Sequence, residues 1–188
     1  MHDARFGLKK KPHLSSKRNI SGVLLLNKPY GISSNKALQI AKYHYSAAKS
    51  GHTGTLDPMA TGLLPICFGE ATKFASFLLS ADKTYEAVLK LGYMSTTGDA
   101  EGEIQKLETQ EDMGNLTLLR SEQILQRFVG KMMQMPPMYS ALKHQGKPLY
   151  TYARNGEVVK RQAREVIIHK ITAIALQENI ISQNHYSS

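Results

Sequence analysis

The sequence predicts an α+β fold, and three observations lead there. Strand-like runs and helical spacings interleave irregularly, no repeat of fixed period occurs, and the regular alternation of a doubly wound sheet is missing. With 188 residues and 41% apolar content the chain can bury one sizeable core, so one domain is expected, an incomplete one. Gly22 to Asn27 (Gly-Val-Leu-Leu-Leu-Asn) reads as a buried strand. Lys28-Pro29-Tyr30-Gly31 closes it, with Pro29 fixing φ and Gly31 easing the turn. Ser33 and Ser34 are candidate caps for a helix carrying Ala37, Ile40, Ala41 and Tyr45 on one face. Residues 51–62 change to Gly, Thr and Pro, which predicts a shaped loop. Helical period returns from Glu70 to Leu79 with Ala71, Phe74, Phe77 and Leu78, and Thr84 to Leu91 alternates as a strand with Tyr85, Ala87 and Leu89 on one face. Thr96 to Glu103 is turn-rich, Ser121 is a candidate cap for a helix bearing Ile124, Leu125, Phe128 and Val129, and Val166 to Leu176 reads as a strand.

Charge narrows the partners. Twenty-four Lys and Arg against fifteen acidic residues give +9, which favours a polyanion, nucleic acid first, without choosing RNA over DNA. Residues 1–20 are basic and poor in apolar side chains, the composition of a flexible arm. The single cysteine, Cys67, cannot form an internal disulfide and sits in an apolar run, so a reduced core thiol and a cytoplasmic location are expected. No apolar run approaches the roughly 20 residues needed to cross a bilayer, so no membrane partner is expected.

The chemistry concentrates in Gly51-His52-Thr53-Gly54-Thr55-Leu56-Asp57-Pro58-Met59-Ala60-Thr61-Gly62. Its glycines permit unusual backbone angles and close approach of a ligand, and Pro58 biases Asp57 toward an extended backbone, so Asp57 is held. The apolar residues that follow put its carboxylate at the rim of a core, where nucleophiles are placed. On its own, an Asp-Pro pair is more often a turn cap than a catalytic group.

This segment resembles the signature of the TruB family of tRNA pseudouridine synthases, Gly-His-Xaa-Gly-Xaa-Leu-Asp-Pro-Xaa-Ala-Xaa-Gly, at every specified position. The likeness extends upstream through Gly22 to Pro29 and Gly31-Ile-Ser-Ser-Asn35. Downstream it takes in Gly69-Glu70-Ala71-Thr72-Lys73, Lys83-Xaa-Tyr85 and Pro137 to Lys143, so that it covers roughly residues 20 to 176. The Met138 to Arg154 block resembles that of the bacterial members. The resemblance implies a pseudouridine synthase fold, a mixed and largely antiparallel sheet flanked by helices. The implied reaction turns uridine 55 in the T arm of tRNA into pseudouridine, with Asp57 as nucleophile and neither metal nor organic cofactor. It also implies that the target base is flipped out of the T loop, with His52 replacing flipped nucleotides and Tyr85 stacking on the uracil. Residues 131–156 would form an RNA-gripping thumb with Lys143, Lys147 and Arg154, while Lys28 would fix the loop or a phosphate. Asp99, Glu101 and Glu103 lack the spacing of a calcium loop and read as a solvated turn. A monomer acting on tRNA is the expected assembly.

The sequence departs from the family at its end. Members continue past the position of Leu176 into a strand bearing Gly-Thr-Tyr-Ile-Arg and often into a PUA-type domain, whereas this sequence closes on Asn184-His185-Tyr186-Ser187-Ser188. The arginine expected to pair with the catalytic carboxylate is therefore not assigned, and a truncated chain without activity is one expectation. The alternative function, a non-catalytic tRNA-binding or folding module, stays open.

Overall fold

The computed structural model describes residues 16–107, 116–177 and 180–182; most of the basic arm lies outside them. The chain divides into two compact units, Met1–Ser80 and Ala81–Ser188.

In the first unit, strand β1 (Gly22–Lys28) leads through the Pro29 turn into helix α1 (Ser34–His44), and β2 (Ser50–His52) and β3 (Gly62–Phe68) complete an antiparallel sheet in the order β1-β3-β2. Ser33 is the cap of α1, its hydroxyl accepting from the Lys36 amide at 3.2 Å. Ser34 is instead buried inside the helix. The buried face is Ser34, Ala37, Leu38 and Ala41, the i, i+3, i+4, i+7 stripe, and Ile40 falls off it into solvent. That stripe packs on Leu24, Leu26, Ile66 and Phe68 to make the core, and Tyr45 closes it with its ring 5.3 Å from that of Phe68. Ser33→Ala should cost about 1 kcal/mol, the usual worth of a serine cap. Urea unfolding followed by circular dichroism measures it.

Pro65 in a central strand is tolerated for a local reason. Its carbonyl accepts from Thr53 N at 3.2 Å, so its missing N–H lies on the side where β2 has just ended at His52. Cys67 is a free, fully buried thiol, and burial pushes its pKa up, as a reduced core residue requires. After β3 the expected helix is split: a 3-10 segment, Gly69–Phe74, precedes a short α2 (Ala75–Leu79). Phe74, Phe77 and Leu78 are exposed. Gly69 begins this segment at φ +54°, where a Cβ would collide with the Ile20 carbonyl.

The second unit holds β4 (Val88–Leu89), β5 (Tyr93–Ser95), β6 (Ile104–Lys106), α3 (Leu118–Leu125) and β7 (Gly130–Gln134). It continues with β8 (Lys143–His144), β9 (Lys147–Pro148), α4 (Leu149–Arg154), β10 (Arg164–Ile168), β11 (Ala175–Gln177) and β12 (Ile180–Ser182). Pairing is antiparallel throughout: β5 with β6, β7 with β10, β8 with β9, and β11-β12-β4 as a three-stranded sheet. Thr84 to Leu91 shortens to the two residues of β4, leaving Tyr85 before the strand rather than on its face. The helix expected after Ser121 begins earlier, capped by Thr117, with Ser121 buried inside it and bonded to the Thr117 carbonyl at 3.0 Å. Val166 to Leu176 is two strands, β10 and β11, broken between Ile168 and Ala175. The turn between β5 and β6 closes on itself, Asp99 Oδ1 accepting from Thr97 and from the Glu101 amide, so that this carboxylate acts as a turn cap.

Candidate active-site loop

The loop from β2 to β3 is pinned on both sides of Asp57. Lys28, the last residue of β1, is fully buried, and its ammonium donates to the carbonyls of Ile32 at 2.8 Å, Pro29 at 3.0 Å and Pro58 at 3.4 Å. The Pro58 carbonyl also accepts from Gly31 N at 2.8 Å. One residue before Asp57, Leu56 is held in both directions by a single hydroxyl. Ser34 Oγ accepts from Leu56 N at 2.8 Å and donates to Leu56 O at 2.9 Å. Asp57 O accepts from Ala60 N at 3.0 Å, closing a turn over Pro58 and Met59.

Asp57 itself is exposed, and among the described residues its carboxylate has no hydrogen-bond or ion-pair partner. The expectation of a carboxylate at the edge of a core therefore changes in detail: its backbone is tied into the core while its side chain stands in solvent. A buried cation contacts neighbouring carbonyls from beneath, and the acid is free to accept a proton or attack an electrophile. This separates positioning from chemistry, since the groups that fix the backbone leave both carboxylate oxygens unengaged. The phosphate role considered for Lys28 is corrected by its burial; it is a tie for the loop.

His52 is the last residue of β2, opposite Ile66, and half-buried. Its Nδ1 is buried without a partner among the described residues, as is Ser50 Oγ two residues earlier on the same strand face. Tyr85 belongs to the other unit and is 41% exposed.

Also in that second unit, the Met138 to Arg154 region is a hairpin and a helix. Gln145 and Gly146 both have positive φ, +48° and +82°, the two-residue turn that matches strand twist, and it joins β8 to β9. Lys143 and Lys147 are exposed on its strands, and Arg154 is exposed with its guanidinium 5.3 Å from the centre of the Tyr150 ring. Tyr152 is structural, its hydroxyl donating to the His144 carbonyl at 3.1 Å. Arg161 was not anticipated from the sequence; it donates to the Pro136 carbonyl at 2.9 Å and ties the start of this region down. Among the described residues no three His, Cys, Asp or Glu side chains gather as a metal-binding group.

Residues 42–187 match the family model described as TruB family pseudouridylate synthase, N terminal domain. The chain belongs to this family. It is 63% identical over 165 residues to tRNA pseudouridine synthase B of Nitrosospira multiformis, covering 87% of this chain and 53% of the relative. To tRNA pseudouridine synthase B of Methylobacillus flagellatus it is 61% identical over 161 residues, 86% of this chain and 51% of that one. The chain thus spans about half the length of the curated relatives it matches. Among solved structures it is similar in fold to a crystal structure of a Cbf5-Nop10-Gar1 complex, at a TM-score of 0.57 and 22% identity, over 89% of this chain and 40% of that chain. The α+β class and the pseudouridine synthase fold agree with that likeness.

Proposed function

We propose that this TruB-family chain converts uridine 55 in the T arm of tRNA to pseudouridine, with Asp57 as the nucleophile. The observation that carries the reading is an exposed, unpartnered Asp57 carboxylate on a backbone fixed at both neighbours, within a match to a pseudouridylate synthase family. The reaction breaks the bond from C1′ to N1 of uracil, turns the base, and joins C1′ to C5; N1 gains a proton and C5 loses one. No electron is exchanged with an outside group. A carboxylate meets the need, because it attacks either the sugar or the base and leaves again. Flipping the base costs a few kcal/mol of stacking, and contacts in the pocket offset it. His52 would fill the place of flipped nucleotides, and the Tyr85 ring would stack on the uracil at about 1 to 3 kcal/mol. Lys143, Lys147 and Arg154 would grip RNA phosphates. The basic surface and the absence of a membrane-length apolar helix among the described residues accord with a cytoplasmic enzyme acting on tRNA.

A second reading, a tRNA-binding or folding module without turnover, rests on the exposed Lys143, Lys147 and Arg154, which would grip RNA whether or not chemistry follows. An unmodified tRNA transcript distinguishes the two. Carbodiimide labelling and primer extension should give a stop in the T loop after incubation with this chain; salt-sensitive binding without that stop favours the module. If three to five phosphates are contacted, raising salt from 50 to 200 mM should weaken tRNA binding by roughly 30-fold or more. A flat salt response counts against both readings.

A further inference from the structure

Two side-chain atoms on β2 are buried with nothing to bond. Ser50 Oγ and His52 Nδ1 are two of the four buried side-chain polar atoms among the described residues that lack a hydrogen-bond partner, and they lie two residues apart on one strand. Alternate residues of a strand point to the same face as the residues directly across from them, and here Ser50 stands opposite Phe68 and His52 opposite Ile66. Phe68 and Ile66 are 5% and 0% exposed and belong to the core under α1, so both polar groups sit at the margin of that core, on the edge strand of the sheet. Their backbone has little freedom. The Lys49 carbonyl accepts from Gly69 N at 3.0 Å before Ser50, and Thr53 N donates to the Pro65 carbonyl at 3.2 Å after His52. A buried polar group left unmatched is costly, and water is the usual partner where the protein supplies none. Side chains two apart on a strand start about 6.8 Å from one another, beyond a direct bond between these two groups, and one water with a bond of about 2.8 Å to each joins them once they lean together.

We propose that Ser50 is a positioning residue for His52: the Ser50 hydroxyl and His52 Nδ1 share one buried water, which holds the imidazole in a single orientation as its Nε2–H tautomer. A neutral imidazole carries one proton, and the bond made at one nitrogen decides which of the two has it. The hydroxyl donates to the water and the water donates to Nδ1, so Nδ1 is the acceptor and the proton stays on Nε2. Orientation matters as much as tautomer. A histidine ring turned over about χ2 fills nearly the same space, so packing alone does not choose between the two settings, whereas a fixed partner for Nδ1 does. His52 is half-buried, and with Nδ1 inward the Nε2 edge is the part that meets solvent. That edge presents an N–H donor, suited to a phosphate, ribose or base carbonyl oxygen of RNA. The hand-over to RNA rests on the role proposed above for His52; the tautomer and the orientation do not.

The test reads the imidazole nitrogens of the isotope-labelled chain by two-bond proton-nitrogen NMR at about pH 8, where histidine is ordinarily neutral. The His52 signal is assigned from its loss in His52→Gln. In the parent chain Nδ1 should show the shift of an unprotonated nitrogen and Nε2 that of a protonated one. Ser50→Ala should replace this pattern with the averaged shifts of exchanging tautomers and weaken tRNA binding about threefold to tenfold, the range one hydrogen bond is worth. Ser50→Thr, which keeps the hydroxyl, should restore both. The urea midpoint supplies a second reading: it should fall in Ser50→Ala because Nδ1 loses its route to a partner, whereas deleting a hydroxyl that bonds nothing leaves the midpoint unchanged or raises it. Four results overturn the proposal: a proton on Nδ1 in the parent, a His52 signal indifferent to Ser50→Ala, a midpoint that does not fall, or a loss of affinity that Ser50→Thr fails to restore. The expected tautomer and its loss in Ser50→Ala, with equal tRNA affinity in all three forms, would uphold the water bridge and remove His52 from RNA contact, so the two readings fail separately.

Discussion

Asp57→Asn is expected to lower the rate of pseudouridine formation by about 10⁴ or more, the scale on which removal of an enzyme nucleophile is felt. The substitution keeps the shape of the side chain and exchanges an oxygen for an amide nitrogen, which cannot attack and leave in the same way. Because the side chain is exposed and bonded to no described residue, folding stability should change by less than about 0.5 kcal/mol. tRNA affinity should hold or rise slightly, since one negative charge leaves a surface that meets phosphates. Single-turnover assays with excess protein separate the rate from binding. Asp57→Glu sharpens the test: it restores the carboxylate but moves it by about one carbon-carbon bond, and a misplacement of about 1 Å costs on the order of 10². An asparagine variant that turns over at the parent rate would remove Asp57 from the chemistry and leave the loop a binding feature.

The sequence carried the loop better than it carried the elements around it. Gly, Thr and Pro between two apolar runs specify an irregular segment whatever packs on it, so residues 51–62 were legible, apart from Gly51 and His52, which end β2, and Gly62, which opens β3. The strand at Gly22 and the helix after Ser33 were legible too, because a turn proline and a serine cap are local signals. Which face is buried was less so. Ile40 is apolar and three residues from Ala37, yet the stripe centred between Ala41 and Leu38 excludes it; propensity cannot say where the sheet lies. Thr84 to Leu91 alternates well but pairs only at Val88 and Leu89, for a strand exists only as far as its partner reaches. Ser34 was legible as a cap and not as the residue that holds Leu56, because that contact spans 22 positions in sequence.

Lys28→Met should destabilise the first unit by about 3 kcal/mol and loosen the backbone that carries Asp57. Two effects oppose one another. A buried ammonium is costly to desolvate, so removing it returns part of that cost. Against this, the substitution removes one partner and leaves the others in place: the carbonyls of Ile32, which is half-buried, and Pro29, which is exposed, lose their Lys28 donor, at about 1 to 3 kcal/mol for the first and less for the second. The Pro58 carbonyl keeps its bond from Gly31 N, so it adds little to the stability loss. The acceptors win because methionine refills the volume of the lysine stem and none of its hydrogen bonds. For the site, the consequence is a change in order rather than in composition. Asp57 remains present and exposed, but one of the two ties at Pro58 is gone, so the rate should fall more than the affinity for tRNA. Urea unfolding gives the first quantity and single-turnover rates against tRNA titrations give the second. Ser34→Ala supplies the matching case on the other side of Asp57: it strips Leu56 of its hydroxyl partner, should cost about 1 to 2 kcal/mol, and leaves the Lys28 tie intact. If the rate falls in both variants while affinity holds, the two ties act together in fixing the carboxylate. Should Lys28→Met unfold more easily yet turn over at the parent rate, the buried lysine serves the fold alone.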